Sequence, residues 1–360
     1  MKSVLVCCKT CPTERAMFAL KARPGGTIVN RATRLSAMLA AACLTAVVVS
    51  GSASAQTALR VGTSSSGSIF YTLAVGLSTL LTKHAGIAAT AEPVGGSAAN
   101  MFAIGADKVD LAISNAYSAY DAYRGVAPFK QKIGVTLFAQ GAPSFRQIIV
   151  RVGSGIEKPE DLVGRTIIGR RPALPEVGLI TEALFKVYKI DPSKVKVVST
   201  TNTGEAVNAI KGDTVDAVVI PGSAGASYLQ SLGRDGKIKF LEIPDDKMKE
   251  MLALLPKSLA LSKLPAKTYP GQDNAVNVFS LPSYMVAASR LSEDTGYKVT
   301  KTLFDNIGEF HNFHGVAKQW TLKETLNDPK IPFHPGAVRY FKEKKLWTPE
   351  MEKEQAGLKS

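Results

Sequence analysis

Five hydroxyl side chains lie close together near residue 65, around a single glycine. They belong to Thr63, Ser64, Ser65, Ser66 and Ser68. The loop follows the strand-like run Leu59–Gly62 and precedes leucines at helical spacing, so it lies at a helix N-terminus. Hydroxyls and backbone N–H groups in that position bind anionic or polar ligands. We expect this loop to contact a ligand; the alternative is a serine-rich turn that only caps the helix.

Two adjacent arginines, Arg170 and Arg171, offer specific chemistry for an anion. They lie in the loop Gly169–Glu176, which follows a second strand-like run. A guanidinium holds a carboxylate through two parallel hydrogen bonds, and its planar geometry selects for that group. We predict that one of the two binds a ligand carboxylate, without a choice between them. In the alternative, both are exposed or pair with Glu176 or another nearby acid.

Five further residues are candidate ligand contacts because each lies at the end or start of an element. They are Tyr71, Ser97, Asn115, Tyr117 and Ser223. Tyr71 is either a ligand contact or a core aromatic with its hydroxyl at the rim. Ser97 is either a donor or a helix cap. Asn115 and Tyr117 follow a buried strand at the end that faces a cleft, and Ser223 has the equivalent position further along the chain.

Patterns typical of enzymes and metal sites are missing from the sequence. There is no Gly-x-Ser-x-Gly, no Walker loop and no GxGxxG after a strand. His311 and His314 are spaced to reach one metal ion, but no acidic or cysteine partner lies at suggestive spacing. We therefore expect a binding protein without catalysis, cofactor or metal.

The N-terminal segment, residues 1–55, has the pattern of an export signal. Two arginines precede an apolar stretch from Leu35 to Val49, and Ala53-Ser-Ala55 offers the small residues of a cleavage site. We expect cleavage after Ala55 and a periplasmic mature protein, with translation starting at Met1 or Met17. The apolar stretch is short for a membrane span. A lipid anchor at Cys43 is the alternative.

The basic charge of the whole chain does not indicate nucleic-acid binding. Without residues 1–55 the formal net charge falls from +14 to +8, because seven basic residues and one acid are removed. The remaining lysines alternate with acids, which is typical of a solvated surface, and no basic stripe carries interleaved aromatics. All four cysteines precede residue 56, so the mature chain has no thiol.

The elements that position these residues follow an α/β pattern that occurs twice. Ile104–Ile113 resembles Ile210–Val219, and Val61-Gly62 resembles Ile168-Gly169 at nearly the same offset along the chain. A repeat this long predicts two similar lobes. We expect lobe one to comprise 56–150 and 275–360 and lobe two 151–274, with Gly62 and Gly169 in different sheets. Polar loops at the strand ends would then line a cleft.

Four segments of the mature chain resemble a known family. They are the loop from Val61 to Tyr71, the run Val109–Gly125 with Gly95-Gly-Ser97, the turn Thr268–Asp273, and Ile331–Lys344. Together they resemble the TAXI-type solute receptors of tripartite ATP-independent periplasmic (TRAP) transporters, over about residues 58–346.

This resemblance implies a bilobal type II periplasmic-binding-protein fold. It also implies a small ligand, often an acidic amino acid or another carboxylate, and delivery to membrane permease subunits. From the internal repeat we expect a monomer in two lobes. One loop departs from the family, because Gly169–Glu176 carries two arginines where hydroxyls are usual. A receptor that presents its ligand to a membrane kinase is the first alternative, and an enzyme on the same fold is the second.

Overall fold

The computed structural model describes residues 58–359. The expected leader, its cleavage site after Ala55 and the four cysteines lie outside these residues. Within them, every helix is too short or too polar to cross a lipid bilayer.

Ten strands form one sheet in which the two longest strands lie at the centre. The strands are β1 Leu59–Thr63, β2 Ala89–Pro93, β3 Leu111–Asn115, β4 Val135–Arg151, β5 Thr166–Arg170, β6 Lys196–Ser199, β7 Ala217–Gly222, β8 Ile238–Phe240, β9 Ala260–Leu264 and β10 Val276–Ala288. Their order is β2-β1-β3-β10-β4-β7-β5-β6, with β8 beside β4 and β9 beside β10. The antiparallel pair β4–β10 thus joins a first half, β1 to β3, to a second half, β5 to β7.

The repeat in the sequence corresponds to these two halves. β1 and β5 have equivalent places, because each is the middle strand of a parallel triplet. Asp107 and Asp213 both adopt a left-handed backbone, with φ of 55° and 56°. Asp110 accepts a backbone hydrogen bond from Arg60, and Asp216 accepts one from Thr166. The predicted strand–helix plan and its duplication are therefore confirmed.

The expectation that Gly62 and Gly169 lie in different sheets is wrong. β4 is 17 residues long and β10 is 13, so their hydrogen bonds run without a break from one half to the other. β10 is likewise one continuous strand, irregular between Leu281 and Ser283. The lobe boundaries remain a prediction, because both central strands belong to both halves.

Twelve α-helices are described, and they cover both faces of the sheet. They are α1 Ile69–Ala85, α2 Ser97–Gly105, α3 Ala116–Arg124, α4 Glu176–Val187, α5 Thr203–Lys211, α6 Ser227–Arg234, α7 Asp245–Leu252, α8 Glu293–Asp305, α9 Ile307–His311, α10 Leu322–Thr325, α11 Pro335–Glu343 and α12 Pro349–Lys359. As expected from its leucine spacing, α1 buries Leu73, Leu77, Leu80 and Leu81. The C-terminal region is mostly helical, and α8 packs on α1 and α11.

Side-chain caps fix the start of the helices that begin near the centre of the molecule. Ser68 Oγ accepts from Tyr71 N at 3.1 Å, and Asn115 Oδ1 accepts from Ser118 N at 2.8 Å. Asn202 Oδ1 accepts from Glu205 N at 3.0 Å. Each cap satisfies a backbone donor that the helix itself leaves free. These local bonds thereby stabilise the N-termini of α1, α3 and α5.

Candidate functional site

A small cavity, which we call the inner cavity, lies between the two halves of the sheet. Its volume is about 40 Å³, enough for about three water molecules. The lining residues are Ser64, Ser68, Ile69, Phe70, Gly96 and Ser97 from the first half, Ser144 and Arg146 from β4, and Leu174, Thr203, Pro221, Gly222, Ser223 and Tyr228 from the second half. Among these lining residues of the described chain, Arg146 alone carries a charge.

A wider recess, the outer pocket, adjoins the inner cavity and shares Ser68, Thr203 and Tyr228 with it. Its volume is about 440 Å³. It lies between the loop Ser65–Ser68 of the first half and helices α5 and α6 of the second. Two hydrogen bonds join these sides, from Thr203 N to Ser65 Oγ at 3.4 Å and from Ser227 Oγ to Gly67 O at 3.3 Å.

The guanidinium of Arg146 is buried, with 2% exposure, and is fixed by neighbouring acceptors. Nε donates to Glu176 Oε1 at 2.9 Å, and Nη2 donates to the same oxygen. Nη1 donates to Ser144 Oγ and to Phe145 O, both at 2.8 Å. These four bonds leave one of its five N–H groups without a partner among residues 58–359. Arg146 is therefore oriented rigidly and retains a donor for a ligand.

Glu176 connects Arg146 to the first half of the sheet. It opens α4 and is fully buried. Its Oε1 also accepts from Asn115 Nδ2 at 2.8 Å, while Oε2 has no hydrogen-bond partner within the described residues. Because truncating one member of a buried ion pair leaves the other charge uncompensated, this pair is costly to break.

Arg171 lies beside the inner cavity, with 4% exposure, and joins the two halves. Its Nη1 donates to Thr203 Oγ1 at 2.8 Å, and its Nη2 donates to Gly95 O across the boundary. Its Nε has no hydrogen-bond partner in the described chain. Arg170 is exposed and lines a separate recess beside α4. Arg171 is thus buried at the boundary between the two halves, whereas Arg170 faces solvent in a separate recess.

Burial and the neighbouring charges shift the acid–base equilibria of this region. Burial, and then the nearby charge of Arg146, lower the pKa of Arg171 to about 10. The pKa of Asp121 is raised to about 6, mainly by burial. The hydrogen bond from the Tyr117 hydroxyl opposes this rise, and the nearby charge of Glu176 adds to it. Burial also raises the pKa of Tyr228, so its hydroxyl stays neutral and donates to Pro221 O. Arg146 at the cavity and Arg171 beside it are thus both buried, and Glu176 is the carboxylate that pairs with Arg146.

The chain matches the NMT1-like family over residues 61–344, most of its length. It belongs to the NMT1-like family.

Two solved structures share the fold of this NMT1-like chain. The periplasmic binding protein BugD is 12% identical, with a TM-score of 0.52 over 84% of this chain and 97% of BugD. MatC from Rhodopseudomonas palustris, solved with bound malate, is 12% identical, with a TM-score of 0.50 over 83% of this chain and 98% of MatC. The mixed sheet with helices on both faces is thus the bilobal periplasmic-binding-protein fold, as the sequence predicts.

The structure brings together half of the twelve residues predicted as ligand contacts. Ser64, Ser68, Ser97 and Ser223 line the inner cavity, and Ser65 and Ser66 line the outer pocket. Thr63, Asn115, Tyr117 and Arg171 are buried but do not line either space, and Tyr71 and Arg170 lie outside both. Phe70 lines the cavity in place of its neighbour Tyr71. Ligand contact by these residues stays a prediction.

The main residue that the sequence interpretation missed is Arg146. It lies within Phe145–Val152, a strand-like run that also contains Gln147 and Arg151. An arginine inside such a run was a usable signal, because a buried charge needs a partner. Glu176 was named as a partner for Arg170 or Arg171, whereas it pairs with Arg146.

The histidine pair has structural roles in this NMT1-like chain. His311 Nε2 lies 3.1 Å from Trp320 O, and His314 Nδ1 accepts from Val316 N at 3.2 Å. Among residues 58–359, no group of three His, Cys, Asp or Glu side chains is arranged to hold a metal ion.

Proposed function

We propose that the chain is a TAXI-type solute receptor of a TRAP transporter. It captures a small, carboxylate-bearing organic ligand between its two halves in the periplasm and delivers it to membrane permease subunits, without chemical turnover. Residues 1–55 are removed on export. Residues 56–150 with 275–360 then form lobe one, residues 151–274 form lobe two, and the receptor acts as a monomer.

The buried guanidinium of Arg146 at the inner cavity carries this proposal. Arg146 retains one unpartnered N–H, and it lines the same small cavity as Ser64, Ser97 and Thr203. Arg171 adds a second buried positive charge nearby. A ligand carboxylate at Arg146 receives charge-assisted hydrogen bonds in a desolvated space.

The family and the fold support the same function. BugD is a periplasmic binding protein, and MatC was solved with malate, a dicarboxylate, bound. Lobe closure around a ligand is a common mechanism of such proteins, because the ligand stabilises the closed state through its differential affinity.

The test uses a variant that removes the charge without leaving a buried ion unpaired. Mass spectrometry first identifies the ligand retained by gently purified protein, and calorimetry then measures its affinity. The double substitution Arg146→Gln with Glu176→Gln should weaken binding by about 30- to 1000-fold. Arg170→Ala, at an exposed position outside the cavity, should bind as the unmodified protein does.

Two results would contradict the proposal. One is a retained ligand that carries no anionic group, and the other is unchanged affinity in the double variant. Turnover of the ligand by the purified protein would instead favour an enzyme. Uptake of the ligand into vesicles that contain the permease subunits should require this receptor. Equal uptake without the receptor would contradict its role in transport.

A further inference from the structure

The two adjoining spaces differ about tenfold in volume, which restricts how a ligand is seated. The inner cavity, of about 40 Å³, has room for about three non-hydrogen atoms, a carboxylate group with little more. Even a four-carbon acid exceeds this. The outer pocket measures about 440 Å³ and shares Ser68, Thr203 and Tyr228 with the cavity. The outer pocket is therefore the adjoining space for the remainder of a ligand anchored at Arg146.

The outer pocket is polar and close to neutral. Eight of its 13 lining residues carry aliphatic hydroxyl or amide groups: Ser65, Ser66, Ser68, Asn202, Thr203, Asn208, Ser227 and Ser231. Its one charged lining residue, Lys211, is paired with Asp235 at 3.1 Å. A second carboxylate would find no unpaired cation among these described residues, and an alkyl chain would find one aliphatic side chain, Val207.

Several of these polar groups remain available to a ligand. The side chains of Asn208 and Ser66 are exposed and have no hydrogen-bond partner in the part of the chain that the structure describes. Ser65 and Ser227 are joined to the opposite half by bonds of 3.4 Å and 3.3 Å, which are long and readily exchanged. Hydroxyls and amides both donate and accept, so they match the hydroxyl groups of a ligand.

Resting on the proposed function, we infer that the ligand is a polyhydroxylated monocarboxylate of the sugar-acid class, with its carboxylate at Arg146 and its hydroxylated chain in the outer pocket. The inner cavity selects for the acid group. The outer pocket selects for the hydroxyls. A bound ligand covers the polar groups of the pocket and displaces their water, and only a polar ligand replaces the lost hydrogen bonds.

The experiment compares probes that separate the two selections. Calorimetry measures the binding of gluconate and glucuronate, hexanoate, acetate and glucose. The better of the two sugar acids should bind at least about 10-fold more tightly than hexanoate, which has six carbons and no hydroxyls, and than acetate. Glucose, without a carboxylate, should not bind measurably.

A substitution in the outer pocket gives a second test. Asn208→Ala should lower the affinity for the sugar acid by about 5- to 30-fold and leave the affinity for acetate unchanged. Asn312→Ala, exposed and outside both spaces, is the matched control.

The outcomes distinguish this inference from the proposed function. If hexanoate or acetate binds as tightly as both sugar acids, the inference is overturned while carboxylate capture stands. The same holds if Asn208→Ala weakens acetate and sugar acid equally. If none of these carboxylates binds, the inference is overturned, and the proposed function is decided separately by the retained ligand and the Arg146→Gln with Glu176→Gln titration.

Discussion

At the scale of single residues, the sequence predicted which chemical groups meet but not their pairing. Ser64, Ser68, Ser97 and Ser223 converge on the inner cavity, because turns that follow parallel strands lie at the same edge of a sheet. Arg146 and Glu176 belong to different elements, β4 and α4, and only the packing of these elements brings them together. Arg170 and Arg171 are adjacent, so their side chains point in opposite directions along the extended chain. Neither composition nor the repeat determines which of the two points inward.

The acid near this cluster gives a pH-dependent prediction. Burial raises the pKa of Asp121 to about 6, so the folded protein holds this proton more tightly than the unfolded chain does. The contribution of protonated Asp121 to the free energy of unfolding is therefore fully present below about pH 4, and it is lost as the pH rises through 6. Asp121→Asn, which can still accept from Tyr117, should therefore be more stable than the unmodified protein at pH 7.5, by about 1–2 kcal/mol.

Urea unfolding at pH 4 and pH 7.5 measures this difference. The advantage of the variant should vanish at pH 4. Asp191→Asn is a control of opposite sign, because bonds from Ser193 lower the pKa of Asp191, so it should lose stability at pH 7.5. A gain for Asp121→Asn of equal size at both pH values would show that ionisation is not the cause.

At the scale of elements, the helices and parallel strands were predictable because each carries a local period. The leucine spacing of α1 and the repeated strand–helix plan are visible in the sequence and follow from burial on one face. The full length of β4 and its pairing with β10 were not predictable, because these partners lie far apart in the sequence. The short strands β8 and β9 depend on pairing with those central strands, so they lack a signal of their own.

The crossing of α8 and α11 depends on glycine. A Cβ at Gly336 would lie 2.2 Å from Tyr297 N and 2.3 Å from Glu293 O, both backbone atoms that cannot move aside. Gly336→Ala should therefore destabilise the protein by roughly 2–4 kcal/mol. Gly308→Ala is the matched control, because this helical glycine is exposed and has no atom within 4 Å of the new methyl group.

Thermal and urea unfolding of both variants test this packing. Gly308→Ala should match the unmodified protein or exceed its stability by about 0.5–1 kcal/mol, since alanine favours a helix. Equal stability of Gly336→Ala and Gly308→Ala would mean that the two helices separate at little cost.

At the scale of the whole molecule, the two halves are held together by bonds that the protein makes with itself. Ala98 N donates to Ala173 O at 3.1 Å, and Arg171 donates to Gly95 O. Asn115 of the first half also donates to Glu176 of the second half. The sequence predicted two similar units and a cleft from the repeat. It did not predict these cross-boundary bonds, because they depend on the angle at which the halves meet.

Arg171 is the residue through which this closure can be tested. Arg171→Met keeps most of its apolar stem but leaves Gly95 O and Thr203 Oγ1 without their donor. We expect the unliganded variant to open, with a larger radius of gyration in small-angle X-ray scattering. Ligand affinity should fall by about 5- to 100-fold, because the binding-competent population falls by that factor. Saturating ligand should restore the compact form.

The scattering data separate the two roles that Arg171 can have. If it acts on closure, the radius of gyration changes before any ligand is added, and Arg170→Met, at an exposed position, changes neither the radius nor the affinity. If Arg171 instead binds the ligand carboxylate directly, affinity falls while the unliganded scattering curve stays the same. Because Arg171 is 4% exposed and already donates to both halves, the first result is the one that its geometry predicts.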